Sequence, residues 1–120
     1  MKAKDIAAAV RLRLQIAPGI AFGPGKADLL DGIRETGSIA AAGRRMRMSY
    51  KRAWQLVEEL NRLFDTPLVA ASKGGSGGGG AELTRAGADV LARYRRMHAA
   101  CCEAVAADFA ALSRHRSKLR

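Results

Sequence analysis

The sequence has no run of about 18 uncharged apolar residues, so no segment of it is expected to cross a membrane as a helix. It has only two cysteines, and they are neighbours, Cys101 and Cys102. Adjacent cysteines rarely bridge each other, which excludes a disulfide framework. No catalytic motif stands out. Asp28, Asp31 and Glu35 resemble paired carboxylates, but no histidine or nucleophile lies near them, and a solvated charged face accounts for them. The chain is therefore read as a non-enzyme. No internal repeat is present. At 120 residues there is room for one hydrophobic core, so residues 1–120 are expected to form one domain. Acidic residues are scarce: 11 Asp and Glu stand against 21 Lys and Arg, a net charge of +10. That excess does not set a fold, but it favours a polyanionic partner. The opening, MKAKDIAAAVRLRLQ, faintly resembles a secretory leader. Arg11 and Arg13 interrupt its apolar stretch and no cleavage site follows, so a cytoplasmic protein is expected.

What is present is a succession of short, well-punctuated elements. Val10, Leu12, Leu14 and Ile16 alternate with Arg11, Arg13 and Gln15, which predicts a strand with one dry and one basic face. Pro18-Gly19 predicts a turn and Ile20–Phe22 a short return strand. Pro24-Gly25 opens a helix bearing Leu29, Leu30 and Ile33, with Gly37 placed just past its end, where glycine accepts a left-handed conformation cheaply. Ser38 can cap a short helix of small residues over 39–46. Arg47-Met48 then fills a turn, and Ser49 caps a longer helix over 50–64. On that helix Ala53, Leu56, Val57, Leu60 and Phe64 share one face, and Lys51, Gln55, Glu58 and Arg62 the opposite one. Pro67-Leu-Val-Ala-Ala and Ala81-Glu-Leu read as two strands. Thr84 caps a last helix to about residue 114, with a stripe of Val90, Leu91, Tyr94, Met97, Cys101, Val105, Phe109 and Leu112. At about 45 Å this helix is too long for so small a core, so the stripe predicts a second subunit.

Two capped helices meeting at a tight turn, the second basic at its start, form a helix-turn-helix. A recognition helix enters the major groove by its N-terminal end, so polar and basic side chains must cluster there. Arg44, Arg45, Arg47, Ser49, Lys51, Arg52 and Gln55 do so. Lysine and arginine neutralise phosphates, while arginine and glutamine also read guanine and adenine edges. The run KGGSGGGG, residues 73–80, has the composition of a flexible linker. Only one helix follows it, however, so a hairpin tip fits better. A phosphate-binding loop would need a lysine and a hydroxyl residue after the last glycine, and Ala81-Glu82 stand there instead.

The stretch TGSIAAAGRRMRMSYKRAWQLVEELN, residues 36–61, resembles the helix-turn-helix of the molybdate-responsive ModE repressors. The stretch GGSGGGGAELTRAGADVL, residues 74–91, is similar to that family's wing and following helix. The first block is shared more loosely with LysR-type regulators. The likeness spans roughly residues 24–112. It implies an α+β, mainly α, winged helix-turn-helix with a long C-terminal dimerisation helix, the former over 24–84 and the latter over 85–114. It further implies sequence-specific binding of a palindromic DNA operator by a homodimer, with contacts at Ser49, Tyr50, Lys51, Arg52 and the wing glycines. Lys73, Gly77, Gly78 and Arg85 complete the candidate DNA-binding set. Val90, Tyr94, Met97, Cys101, Val105 and Leu112 are the candidate dimer seam. ModE senses molybdate through C-terminal oxyanion domains. The sequence ends at Arg120, directly after the dimer helix, so no molybdate binding is expected. Two other functions fit the charge: an architectural DNA-binding protein of low specificity, and a subunit whose basic face meets an acidic protein.

Three further residue groups admit two uses each. Tyr50 and Trp54 sit one turn apart; Trp54 is expected to close the edge of the core, and Tyr50 to pack or to touch DNA. His98, Cys101 and Cys102, at i, i+3 and i+4, would double across a twofold axis into a set suited to zinc or copper(I). The ordinary use, cysteine as a small apolar residue in a helix seam and histidine in solvent, is preferred, so no metal or other cofactor is expected.

Overall fold

The computed structural model describes residues 2–72 and 80–117. The chain runs α1 (Ala3–Ala9), β1 (Leu14–Ala17), β2 (Ile20–Phe22), α2 (Pro24–Thr36), α3 (Ile39–Arg45), α4 (Tyr50–Leu63), β3 (Val69–Ser72), β4 (Gly80–Leu83) and α5 (Arg85–Ser113). Strands β1 and β2 form one antiparallel pair, β3 and β4 another. This is an α+β arrangement dominated by helix.

The punctuation residues act as their chemistry requires. Gly37 ends α2 with φ 72°, a conformation that costs glycine nothing. The Ser38, Ser49 and Thr84 hydroxyls accept from the backbone N–H groups of Ala41, Arg52 and Gly87, each at 3.0 Å. The first strand differs from the alternating run. Residues 3–9 are helical, and pairing begins only at Leu14. A register shift between Gln15 and Ala17 then reverses the pleat. Ile16 therefore turns outward and is 42% exposed, against the expectation from its spacing.

The core gathers Phe22, Leu29, Leu30, Ile33, Val57, Leu60, Leu68 and Leu91, all nearly inaccessible. Burying each such side chain contributes about 1.5–3 kcal/mol. Small residues let the helices approach. A Cβ on Gly32 would lie 2.9 Å from the Ala42 Cβ, and one on Gly43 2.9 Å from that of Ala53, so α2, α3 and α4 pack nearly backbone to backbone. Gly87 sits tighter still: a Cβ there would meet the Leu68 carbonyl oxygen at 2.1 Å.

The N-terminal segment lies along α5. Tyr94 Oη donates to the Leu12 carbonyl at 2.7 Å, and His98 Nε2 lies 2.7 Å from the Val10 carbonyl oxygen. Cys102 is buried, with its Sγ 4.0 Å from the Ile6 carbonyl oxygen. His98 thus lies against the Val10 carbonyl and is not simply solvated as expected.

Candidate nucleic-acid interface

Helices α3 and α4 are set at a fixed angle by a turn with its own hydrogen bonds. The Met46 and Met48 N–H groups donate to the Gly43 carbonyl, and the Arg47 N–H to that of Arg44. Closing this turn puts Arg47 at φ 58°, the left-handed region that a side chain enters at a cost. Ser49 holds the start of α4 by accepting from the Arg52 N–H, and its own O–H remains available to donate.

Around that start stands the basic set. Arg44, Arg45, Arg47, Ser49, Tyr50, Lys51, Arg52 and Gln55 are all exposed. Arg45 pairs with Glu35 at 2.8 Å. Arg44, Arg47, Lys51 and Arg52 have no carboxylate partner among the described residues. Four of the 11 acidic residues, Asp28, Asp31, Glu59 and Asp89, are held in ion pairs away from this set. Arg95 bridges Asp28 and Asp31, joining α5 to α2, and Lys26 pairs with Glu59. The Arg95 guanidinium is half-buried, and although burial opposes its charge, hydrogen bonds to Asp31 and Asp28 outweigh that and raise its pKa. Asp28 and Asp31 are thus partners in an inter-helix ion pair and not merely a solvated face.

The wing is tied to this unit at two points. Asn61, on α4, accepts from the Leu68 and Val69 N–H groups through Oδ1 at 2.8 and 3.0 Å, and donates from Nδ2 to the Val69 carbonyl at 3.0 Å. The Ala81 N–H donates to the Gly37 carbonyl at 2.9 Å, so β4 is held against the α2–α3 junction. Residues 69–72 and 80–83 pair from Val69↔Leu83 to Ser72↔Gly80. Lys73, Gly77 and Gly78 lie outside the described residues. Arg85 is exposed at the start of α5.

A cleft of about 470 Å³ runs between α4 and the wing, lined by Ile39, Tyr50, Trp54, Val57, Ala70 and Ala81 among others. Trp54 does not close the core as expected. Its neighbours Ala53 and Val57 fill the buried face, which leaves Trp54 41% exposed on the flank.

The seam candidates divide. Tyr94 is 3% exposed within the chain's own core, its ring edge-on to Phe22 at 5.1 Å, and Val90 packs on the same core. Burial raises the Tyr94 phenol above its ordinary pKa. Met97, Val105 and Leu112 are exposed, at 44%, 39% and 67%, and Cys101 is half-buried. Among the described residues, no three His, Cys, Asp or Glu side chains are grouped to hold a metal. Among these residues, no helix is long and apolar enough to cross a membrane. Sequence reasoning missed Asn61, whose polar side chain on the core-flanking edge of α4 was the available signal.

A family profile described as "Bacterial regulatory helix-turn-helix protein, lysR family" matches residues 27–88. The chain is 44% identical over 81 residues to the molybdenum-pterin-binding protein MopB of Rhodobacter capsulatus, covering 68% of this chain and 30% of that protein. It is 38% identical over 105 residues to MopA of the same organism, covering 88% of this chain and 39% of MopA. It is 37% identical over 87 residues to the DNA-binding transcriptional dual regulator ModE of Escherichia coli, 72% of this chain and 33% of that regulator. The chain thus spans well under half the length of these relatives.

Proposed function

The chain belongs to the lysR family of bacterial regulatory helix-turn-helix proteins, and on that footing we propose that it is a sequence-specific DNA-binding transcription regulator acting as a homodimer on a palindromic operator. The observation that carries this reading is the exposed, carboxylate-free cluster of Arg44, Arg47, Lys51 and Arg52 at the start of a doubly capped helix pair. Such a helix start enters a major groove, where its cations meet phosphates and its Lys51 and Gln55 face base edges. Binding of this kind calls for no reaction, and none is proposed.

The dimer rests on α5. Its 29 residues make a rod about 44 Å long. The stripe that Leu91 and Tyr94 bury within the subunit continues as Met97, Cys101, Val105 and Leu112, with residues 103–108 all exposed. A second copy laid on that stripe would cover it and repeat the α4 helix for a twofold site. Several of the relatives are named for molybdenum, as in molybdenum-pterin-binding protein and molybdenum transport protein. Molybdate is not part of this proposal.

Selection of bound fragments from genomic DNA, followed by sequencing, tests the reading. An inverted repeat with half-sites about one helical turn apart is expected. Recovery of fragments with no common sequence would instead make the protein an architectural binder.

A further inference from the structure

Helix α4 presents two surfaces of different chemistry. Its outermost stripe is polar, with Lys51, Gln55 and Glu58 exposed. Its wing-side flank is aromatic: Tyr50 is 58% exposed and Trp54 41%, their rings edge to face with centroids 6.1 Å apart. Ile39 and Ala70 continue this apolar surface into the cleft beside the wing. Two large rings left in water next to a cationic cluster are not explained by packing, since the core is filled without them.

We propose that Tyr50 and Trp54 form a site that reads the 5-methyl groups of thymine in the bound duplex. The occupant follows from the surroundings. Lys51 and Arg52 follow Tyr50 on the same helix start, and with Arg44 and Arg47 they carry positive charge with no carboxylate partner among the described residues, which complements a polyanion. Of the major-groove groups that tell one base pair from another, the thymine methyl is the one that is apolar and not a hydrogen-bond donor or acceptor. It is the largest apolar group that an exposed ring pair on a helix in that groove could cover on a base edge. Covering one methyl group corresponds to about a fourfold gain in affinity. Lys51 and Gln55 would select bases by hydrogen bonds, and the rings would select thymine over cytosine by contact. The inference rests on the regulator reading above and adds a preference for thymine to it.

The test uses the full chain and a duplex recovered by the genomic selection, remade with deoxyuridine in place of one thymine at a time. Uracil keeps the pairing and removes only the methyl. At one or more positions the wild-type protein is expected to lose about three- to fivefold in affinity. At those positions Trp54→Ala or Tyr50→Ala should bind the thymine and uracil duplexes equally. Both side chains are exposed, so these variants are expected to keep the far-ultraviolet circular dichroism of the wild type. Trp54 is the sole tryptophan, so its fluorescence should change on binding the thymine duplex and change less with uracil. If no uracil position weakens the wild type, or if the losses persist unchanged in both variants, the proposal is overturned. Absence of any duplex binding by the wild type would show before uracil is introduced, and would overturn the regulator reading itself.

Discussion

Arg47 is the one non-glycine residue of positive φ among those described, at 58°, and it sits in the turn that sets the angle between α3 and α4. Strain at a residue that also carries exposed charge fits a position kept for contact and not for stability. A left-handed side chain costs about 1–2 kcal/mol, and glycine returns about 0.5–1 of that as chain entropy. Arg47→Gly should therefore raise stability by about 0.5–1 kcal/mol in urea denaturation while weakening DNA binding. A loss of stability would mean that the Arg47 side chain packs more than its exposure indicates. Gly87 predicts the opposite outcome. With the Leu68 carbonyl oxygen 2.1 Å from where a Cβ would stand, Gly87→Ala must push α5 off the wing. A cost of about 2–3 kcal/mol is expected, typical of forced overpacking. An unchanged denaturation midpoint would contradict that close approach. Asn61 joins α4 to Leu68 and Val69 at the start of β3 through three hydrogen bonds.

At the scale of elements, α5 packs on the core along its first half and leaves the second half uncovered by it. The Tyr94 hydroxyl fastens the segment before β1 to it, through Leu12. Tyr94→Phe should cost about 1 kcal/mol, the net worth of one hydrogen bond. Because burial raises the folded-state pKa of this phenol, the folded state holds its proton more tightly than the unfolded chain. The resulting stability is present below the ordinary tyrosine pKa of about 10 and is lost as pH rises through the higher folded value. Wild type should lose stability in that alkaline window more steeply than Tyr94→Phe, and parallel curves would contradict the assignment. Charge in the second half should act differently. Val105→Asp is expected to leave the subunit folded and dissociate the dimer, seen by sedimentation, whereas Tyr94→Asp would unfold the subunit. A monomeric wild type at micromolar concentration would rule out the α5 seam. Most of these elements were legible because glycine, proline and hydroxyl caps mark their ends: Gly37, Ser38, Ser49 and Thr84 all stand where the pattern put them. The start of the chain was not. Residues 3–9 carry too few large apolar side chains to show a helical period, and their helix lies against α5, a contact between distant parts of the chain. The bulge that turns Ile16 outward leaves no trace in a period-two pattern. On α4 the basic start was legible from residue type alone. The outward set of Trp54 was not, because the 50–64 stripe does not say how wide the buried face is.

For the molecule as a whole, charge is sorted as well as unbalanced. Of the 11 acidic residues, Asp28, Asp31, Glu35, Glu59 and Asp89 are paired with nearby cations. Arg44, Arg47, Lys51 and Arg52, around the start of α4, have no such partner among the described residues. Extents of 53 × 32 × 24 Å reflect α5 reaching past the body that holds this face, so a second copy on α5 could join without covering α4. A paired molecule would then present two basic starts to one duplex. The direct test is the affinity of the protein for its selected duplex across a series of salt concentrations. If a dimer neutralises about six phosphates, log K should fall against log salt with a slope near −5, and Arg52→Ala should flatten it by about one for each phosphate that Arg52 neutralises, whereas Lys51→Ala should relax the sequence preference. A flat salt response, or a slope unmoved by removing Arg44, Arg47, Lys51 and Arg52 together, would contradict DNA binding through this face.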